Sequence, residues 1–464
     1  NSKIDYTNRK DLTNLSIITI DGADAKDLDD AVYVEKLENG NYKLIVAIAD
    51  VSYYVKKDTV LDLEARNRGN SVYLVDRVLP MFPKEISNGI CSLNEKEEKL
   101  TFSCEMEIDL KGKVVNYEVY KSVIKSVHRM TYKAVNGILD GDKDLINEYS
   151  DIYEMLKQML ELSKILRAKK HKRGSIDFEL PELKVVLDKD EKVEKVYLKD
   201  RGEGEKIIED FMIAANETVA ERIYWLELAS IYRTHEKPDR EKIVKLNEIL
   251  AKFGYKIPNF DNIHPKQFQE IIERSRDKET SMLVHKTILT SLKQARYTVE
   301  DIGHFGLASS HYTHFTSPIR RYADLMVHRV LFSTIDNSIK PFKEADLDEI
   351  AQHISKTERV AMKAEDESVR IKLVEYMQKR VGEKLTVMVT GFAPRKVFFE
   401  TDEHIECSWD VTTSPNYYVF NEENYCMVDR ESDTVFNLGD KVEAFLERAD
   451  LLTLEIAVVP LDDF

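Results

Sequence analysis

Five aspartates lie within ten residues near the start of the chain, from Asp21 to Asp30, directly after the strand-like run 17–20. Lys26 is the only basic residue among them, so protein groups compensate the repulsion between the carboxylates poorly. Oxygen ligands at this density suit Mg²⁺ or Mn²⁺, with water and a substrate phosphate completing the coordination. A calcium loop does not fit, because the third and fifth positions from Asp21 are alanines. The segment therefore indicates either a solvated acidic loop or a metal-assisted reaction.

A second segment suggests a site for an anion. We predict that a helix begins at Ser317 and Pro318, because serine caps free amides and proline is tolerated at the first helical position. Arg320 and Arg321 would then lie in the first turn, where the helix dipole favours acidic residues. A bound phosphate would explain both arginines, and two exposed arginines on a surface helix are the alternative. Together with the aspartates, the segment indicates phosphoryl-transfer or phosphodiester chemistry.

The elements that must position these residues change in type along the chain. Alternating, β-branched-rich segments predict strands at 31–35, 43–50, 99–109, 385–392, 396–400 and 441–446. Residues from about 145 to 380 are predicted to be mainly helical, and the longest periodic stretch is 345–380. We therefore predict an α+β domain, in which helices wrap a mixed sheet, followed by a small all-β unit.

Composition excludes several other classes of protein. A chain of 464 residues with 43% apolar residues can bury a large core and form two or more domains. No apolar run approaches about 20 residues and no leader is visible at Asn1, so membrane insertion and export are not expected. Four scattered cysteines fit reduced thiols in a cytoplasmic protein. His304, His311 and His314 lack zinc-site spacing, and the absence of a Gly-rich phosphate loop argues against a nucleotide cofactor.

Seven motifs, in the same order along the chain, resemble the ribonuclease R type of the ribonuclease II (RNB) superfamily. They occupy residues 19–30, 68–73, 87–93, 173–178, 208–216, 232–236 and 304–331. The resemblance implies a processive, hydrolytic exoribonuclease that degrades single-stranded RNA from the 3′ end to the 5′ end and releases nucleoside 5′-monophosphates. It also implies a role in RNA turnover and processing.

The resemblance assigns roles to the aspartates and to one arginine. It makes Asp21, Asp27, Asp29 and Asp30 the ligands of Mg²⁺, with Asp29 the one most needed for turnover. Two ions, for which Mn²⁺ could substitute, would activate a water and steady the leaving 3′ oxygen. Arg320 would stabilise the charge that develops on the attacked phosphorus.

Residues that would hold the RNA follow from the same resemblance. Tyr73 and Phe178 match aromatic residues that clamp the two ends of a base stack, and Tyr132 matches a tyrosine beside the last nucleotide. The structural alternative is that these side chains fill core and surface, as most of the 22 Tyr and 18 Phe must. Either Glu209 or Asp210 would contact ribose. Arg321 would join Arg320 in binding phosphate.

The family pattern also predicts the domain organisation. Residues 1–380 would form the RNB catalytic domain, with a motif core of about 15–335 and a helical tail at 336–380. Residues 381–464 resemble an S1-like oligonucleotide-binding (OB) barrel. They depart from the usual pattern at 393–396 and 407–410, which makes a cap on the channel mouth an alternative to RNA binding. The cold-shock-type domains that normally precede the catalytic domain are expected to be absent, as in a fragment.

The net charge of −16 is unusual for a protein that binds nucleic acid. Residues 381–464 carry 6 Lys and Arg against 18 Asp and Glu, so most of the negative charge lies at the C-terminal end. The basic run 164–173 ends a predicted helix, where it would complement the helix dipole or contact RNA. We expect a monomer that threads single-stranded RNA through a channel. A non-catalytic RNA-binding protein, a metal-dependent endonuclease and a DNA exonuclease are the alternatives.

Overall fold

The computed structural model describes residues 6–178, 180, 182–199, 201–260, 262–336, 341–432 and 434–461. The strands are β1 (Lys10–Asp11), β2 (Ile18–Asp21), β3 (Asp30–Lys36), β4 (Tyr42–Ala49), β5 (Val72–Tyr73), β6 (Val78–Leu79), β7 (Glu98–Ile108), β8 (Val114–Lys125), β9 (His128–Thr131), β10 (Glu182–Leu187), β11 (Val193–Lys199), β12 (Tyr232–Thr234), β13 (Arg296–Thr298), β14 (Lys384–Ala393), β15 (Lys396–Thr401), β16 (Glu406–Asp410), β17 (Tyr418–Asn421), β18 (Cys426–Asp429), β19 (Val435–Phe436), β20 (Lys441–Asp450) and β21 (Glu455–Pro460). The helices are α1 (Val51–Tyr54), α2 (Val60–Arg68), α3 (Tyr132–Leu139), α4 (Lys143–Glu148), α5 (Tyr153–Arg173), α6 (Glu203–Trp225), α7 (Arg240–Lys252), α8 (Pro265–Ser275), α9 (Ser281–Ser291), α10 (Tyr322–Phe332) and α11 (Glu344–Gln378).

A seven-stranded sheet with the order β1-β8-β7-β4-β3-β2-β9 carries the aspartate segment. The inner pairs are antiparallel, whereas β1 with β8 and β2 with β9 are parallel, so the sheet is mixed as predicted. Asp21 is the last residue of β2 and Asp30 is the first residue of β3. The acidic loop is therefore the connection between two neighbouring strands, and the sheet fixes both of its ends.

Helices cover both faces of this sheet. Along β4, Leu44 and Val46 pack in a core cluster with α5 and α6, whereas Ile45 and Ala47 pack in a second cluster with α10 and α11. Side chains alternate between the two faces of a strand, so a strand that is buried on both faces is apolar throughout. The continuous hydrophobic character of this segment follows from that double burial, and the predicted arrangement of helices around a mixed sheet is confirmed.

The mainly helical region contains two pairs of strands that the sequence pattern did not indicate, β10 with β11 and β12 with β13. Strands β10 and β11 form an antiparallel hairpin between α5 and α6. Helix α5 ends at Arg173, and Gly174 after it adopts the left-handed conformation, with φ 95°, that terminates many helices. The last turn of α5 holds Lys170 and Arg173, and each forms an ion pair with an acid of α6. Part of the basic run therefore joins two helices.

The predicted helix start at Ser317 is wrong. Helix α10 begins at Tyr322, and Arg321 precedes it in an extended conformation with φ −132° and ψ 125°. The backbone N–H of Ser317 donates to Asp324 Oδ1 at 2.7 Å, and the N–H of Ile319 donates to Asp29 Oδ1 at 2.8 Å. Because two carboxylates use these amides, the segment forms an isolated turn, and Arg320 lies in that turn rather than in a helix.

After α11, the chain forms a closed five-stranded barrel with the order β14-β15-β16-β21-β20. Val374 and Met377 of α11 are buried in the same core cluster as Trp409 and Phe399 of the barrel. The end of the long helix is therefore part of the barrel's own packing. In the described residues, none of the helices combines the length and apolar character needed to cross a bilayer.

Candidate active site

A cavity of about 580 Å³ opens where β2 ends and β3 begins. Nine of the eleven predicted site residues line it: Asp21, Asp27, Asp29, Asp30, Tyr73, Tyr132, Glu209, Arg320 and Arg321. They come from the acidic loop, β5, α3, α6 and the turn before α10. Segments that are up to 300 residues apart in sequence therefore meet at one end of the sheet.

Asp29 is the most deeply buried of the five aspartates in the acidic loop, with 3% of its surface exposed. Its Oδ1 accepts the N–H of Ile319, and its Oδ2 has no hydrogen-bond partner although it is buried. Arg320 Nε lies 3.7 Å from Oδ2, which is too long for a hydrogen bond. Burial raises the pKa of Asp29 well above its usual range, and Arg320 offsets this only in part. An unpartnered buried carboxylate oxygen is costly unless a cation or a proton compensates it.

The neighbouring carboxyl groups of Asp30 and Asp21 also have raised pKa values. Burial raises the pKa of Asp30 to about 7, and the negative charge of Asp21 adds to that effect. Burial also raises the pKa of Asp21, while Asp27 adds repulsion and Arg320 opposes it. A divalent cation among these groups would favour their ionised forms, because an opposite charge at short range lowers a carboxyl pKa.

All of these candidate ligands are oxygen atoms, which suits a hard cation such as Mg²⁺. Within the residues that the structure describes, no group of three or more His, Cys, Asp or Glu side chains is arranged to hold a metal ion by itself. Beside phosphates, Mg²⁺ is usually bound by one or two carboxylates, with water and substrate oxygens as its other ligands.

The two arginines have different environments. The side chain of Arg320 is 43% exposed, and its Nη2 donates to Ser317 Oγ at 3.1 Å. Arg321 donates from Nε and Nη2 to the two oxygens of Asp324, both at 2.8 Å. Burial opposes the charge of Arg321, but the Asp324 carboxylate outweighs burial and raises the pKa of the guanidinium. Arg320 thus presents a partly exposed guanidinium to the cavity, whereas Arg321 is held by a buried partner.

Two tyrosines stand beside the acidic loop. The hydroxyl of Tyr73 donates to Asp27 Oδ2 at 2.9 Å, and 39% of the residue is exposed. Tyr132 begins α3 immediately after β9, and β9 pairs with β2 so that Thr131 is opposite Asp21. Burial and the nearby Asp21 and Asp30 charges raise the pKa of Tyr132, which keeps its phenol neutral. Each ring adds a flat apolar surface to a polar cavity.

The structure distinguishes the two adjacent acids of α6. Glu209 lines the cavity and accepts from Arg201 Nη1 at 2.7 Å. Asp210 is 2% exposed and does not line the cavity; Ser163 Oγ and Lys170 Nζ lie 2.7 and 2.6 Å from its carboxylate. Of the two acids between which the sequence left the ribose contact open, Glu209 lies at the cavity, whereas the Asp210 carboxylate joins α6 to α5.

Phe178 does not line the cavity either. It is partly buried against the apolar cluster formed mainly by α7, α8 and α9. The segment that carries it is held by the N–H of Ile176, which donates to the carbonyl of Gly306 at 2.8 Å. Phe178 therefore packs in a separate helical region.

Comparison with known proteins identifies the family. The family model described as RNB domain matches residues 9–337. The chain belongs to the RNB family.

Its relatives include ribonuclease R of Thermotoga maritima, which is 45% identical over 470 residues, or 99% of this chain and 66% of the relative. Ribonuclease R 1 of Lactococcus lactis is 41% identical over 97% of this chain and 56% of the relative. The chain therefore spans between 56% and 66% of the length of these two curated relatives. A solved structure of Mycoplasma genitalium RNase R in complex with ribose methylated single-stranded RNA has a TM-score of 0.91 at 30% identity, covering 98% of this chain and 72% of that one.

Several residues of this RNB chain line the cavity and were not proposed as site residues from the sequence, and Asn216, Tyr312 and His314 are among them. Asn216 Oδ1 accepts the N–H of Phe315 at 2.9 Å, and its Nδ2 donates to the Tyr312 hydroxyl at 3.2 Å. Asn216 follows Glu209 by seven residues, so two turns of α6 place both on one face. The seven-residue spacing from Glu209 is the feature of the sequence that could have indicated Asn216 as a site residue.

His314 was considered only as a zinc ligand, and in this RNB chain it has another environment. Its Nδ1 lies 2.9 Å from the hydroxyl of Tyr297. Burial and the nearby arginines, Arg321 first, lower its pKa well below the usual range. His314 is therefore a neutral hydrogen-bonding group in the cavity wall.

Proposed function

We propose that this RNB chain is a metal-dependent exoribonuclease that hydrolyses single-stranded RNA processively from the 3′ end and releases nucleoside 5′-monophosphates. The observation that carries the proposal is the meeting of four aspartates, Arg320 and two tyrosines in one cavity. Sequence similarity to ribonuclease R over nearly the whole chain supports it. An RNA-turnover and processing role in the cytoplasm agrees with the four free, buried cysteines, which need no oxidising compartment.

Asp21, Asp27, Asp29 and Asp30 would hold the metal, with Mg²⁺ as the expected ion and Mn²⁺ as a substitute. The Oδ2 atom of Asp29 supports this assignment, because it is a buried carboxylate oxygen without a hydrogen-bond partner. Two bound ions would supply an activated water and neutralise charge on the phosphate and on the leaving 3′ oxygen.

The chain's own side chains would then orient the substrate. Arg320 is exposed to the cavity and would donate to the attacked phosphate, where its charge is worth most in the transition state. Asp29 serves a second purpose through its Oδ1, because the bond to the N–H of Ile319 fixes the turn that carries Arg320. Arg321 supports the same phosphate site from its paired position beside Asp324.

Base stacking and a ribose contact would select RNA. Tyr73 and Tyr132 offer ring surfaces in the cavity, and stacking is worth about 1 to 3 kcal/mol per base whatever the sequence. Phe178 would hold the other end of the base stack, farther from the reaction. Glu209 is the acid that would accept from a ribose hydroxyl, which DNA lacks at the 2′ position.

We further propose that residues 1–380 act as the catalytic unit and that 381–464 form an S1-like OB-fold. A closed five-stranded barrel is the architecture that this fold requires. Its excess of 18 acidic over 6 basic residues disfavours contact with phosphates and favours a capping role at the channel mouth. The chain would act as a monomer on one threaded strand.

A time course on 5′-labelled single-stranded RNA tests the proposal. With Mg²⁺ we expect a ladder that shortens to a stub of a few nucleotides and releases nucleoside 5′-monophosphates, and we expect no cleavage with EDTA or of a matched DNA strand. An RNA that stays intact but is retarded in a binding gel would favour the non-catalytic alternative. Internal fragments that appear before mononucleotides would indicate an endonuclease.

A further inference from the structure

A second cavity, of about 290 Å³, adjoins the candidate active site on the side of α11. The two cavities share four lining residues, Tyr73, His314, Arg320 and Arg321, so those side chains form a common wall. The volume is near the lower end of the range for small-molecule pockets, about 300 to 1,000 Å³. A single nucleotide suits this space better than a strand does.

The far wall of the second cavity provides another arginine. Arg233 Nη1 forms an ion pair of 2.6 Å with Glu358 Oε2, and its guanidinium lies 4.6 Å from the centre of the Tyr297 ring. The Tyr297 hydroxyl contacts His314, which belongs to the shared wall. Arg320, Arg321 and Arg233 thus line one continuous surface from the first cavity into the second.

The proposed reaction creates a need for such a space. An RNA strand that is shortened from its 3′ end fills the cavity from its entrance, so a released mononucleotide cannot leave by that route while the strand stays bound. The released phosphate is a monoester with a charge of about −1.5 to −2 at neutral pH, which is more than the single charge of the diester before cleavage. Three guanidinium groups, offset in part by Glu358 and Glu365, line this space and would attract the more highly charged monoester more strongly than a singly charged diester.

We propose that the second cavity is the exit passage for the nucleoside 5′-monophosphate, and that Arg233 receives its phosphate by exchanging Glu358 for the product. This inference rests on the proposed function. The Arg233 side chain is 14% exposed and that of Glu358 is 21% exposed, so solvent and product can reach the pair. Arg320, whose side chain is the most open part of the shared wall, would move to admit the nucleotide.

Two substitutions test the passage. Arg233→Gln should weaken inhibition of RNA cleavage by added adenosine 5′-monophosphate on the order of tenfold, the effect of one charge-assisted hydrogen bond. The double variant Arg233→Gln with Glu358→Gln removes both charges and should show the same weakening without an unpaired carboxylate. Met362→Trp places a large ring in the passage and should slow repeated turnover severalfold more than it slows the first cleavage, because product release would become limiting.

Val360→Trp is the matched control, since Val360 is 70% exposed on the same helix and does not line the cavity. The proposal of an exit passage is wrong if the wild-type chain cleaves RNA and all variants behave like Val360→Trp. The two quantities to compare are the inhibition by added product and the ratio of the repeated-turnover rate to the first-turnover rate. If the wild-type chain does not cleave RNA at all, the proposed function fails first and the passage fails with it. Weakened inhibition and selectively slowed turnover support the passage.

Discussion

Replacing Asp324 with asparagine should damage the turn that carries Arg320. Asp324 is completely buried and accepts three hydrogen bonds, one from the N–H of Ser317 and two from Arg321. Asparagine keeps one acceptor oxygen and places an NH₂ group where the second oxygen met the guanidinium. At least one bond is therefore lost, and Arg321 keeps its charge without a counter-ion.

The expected loss of stability follows from this geometry. Removing one partner of a buried ion pair typically costs about 3 to 5 kcal/mol. The side chain of Arg321 retains 19% exposure, so water can solvate it in part, and we expect a value near the lower end, about 3 kcal/mol. Thermal or denaturant unfolding of Asp324→Asn beside the wild type measures this loss.

The activity of Asp324→Asn should fall because Arg320 is displaced, and not because the substrate binds less tightly. A misplacement of about 1 Å in a catalytic group can lower the rate on the order of 10²-fold, so kcat for RNA cleavage should drop while KM changes little. The double variant Arg321→Met with Asp324→Leu removes both charges and should regain stability but not activity, because Ser317 still lacks its acceptor and the phosphate site loses Arg321. An Asp324→Asn variant that unfolds within about 0.5 kcal/mol of the wild type and keeps its kcat would refute this reasoning.

Two further predictions concern the grip on RNA. Tyr73→Ala should change the RNA lengths at which digestion stalls on a sequencing gel, because it removes a stacking ring. Tyr73→Phe loses only the hydrogen bond to Asp27 and should stall at the same lengths as the wild type. An unchanged ladder for Tyr73→Ala would mean that Tyr73 does not stack on a base. Glu209→Gln should reduce the preference for RNA over a chimeric strand with 2′-deoxyribose at its end, measured as a ratio of kcat/KM. Asp210→Asn should mainly lower the unfolding temperature, because only one of Lys170 and Ser163 would keep an acceptor oxygen and Lys170 would lose a buried counter-charge. The opposite pattern would mean that the two acids have been assigned the wrong roles.

The sequence predicted the acidic loop well because its chemistry is local. The aspartates lie within ten residues, and the strand before them could be recognised from its own residues. The α+β class, with helices around a mixed sheet, was also predicted, because β-branched-rich runs indicated the strands and periodic apolar residues indicated the helices. The approach of Arg320 to the loop could not be derived from spacing and came only from resemblance to the RNB family.

Contacts between distant segments account for the predictions that failed. The amides of Ser317 and Ile319 suggested a helix start, but Asp324 and Asp29 use them, and Asp29 is 290 residues away. Neighbouring residues on a helix point about 100° apart, so the sequence of α6 alone could not decide between its two acids. The position of α5 distinguishes the two acids, because Lys170 of α5 forms an ion pair with Asp210.

Comparison of Asp29→Asn with the wild type tests most directly whether this cavity is a metal-dependent nuclease site. RNA cleavage would be followed over a Mg²⁺ titration, and RNA affinity would be measured separately in a binding gel. Loss of a metal ligand removes several kcal/mol of transition-state stabilisation, so we predict that cleavage falls at least about 10³-fold at saturating Mg²⁺ while RNA affinity stays near that of the wild type. Near-normal turnover by Asp29→Asn would contradict the assignment of the site.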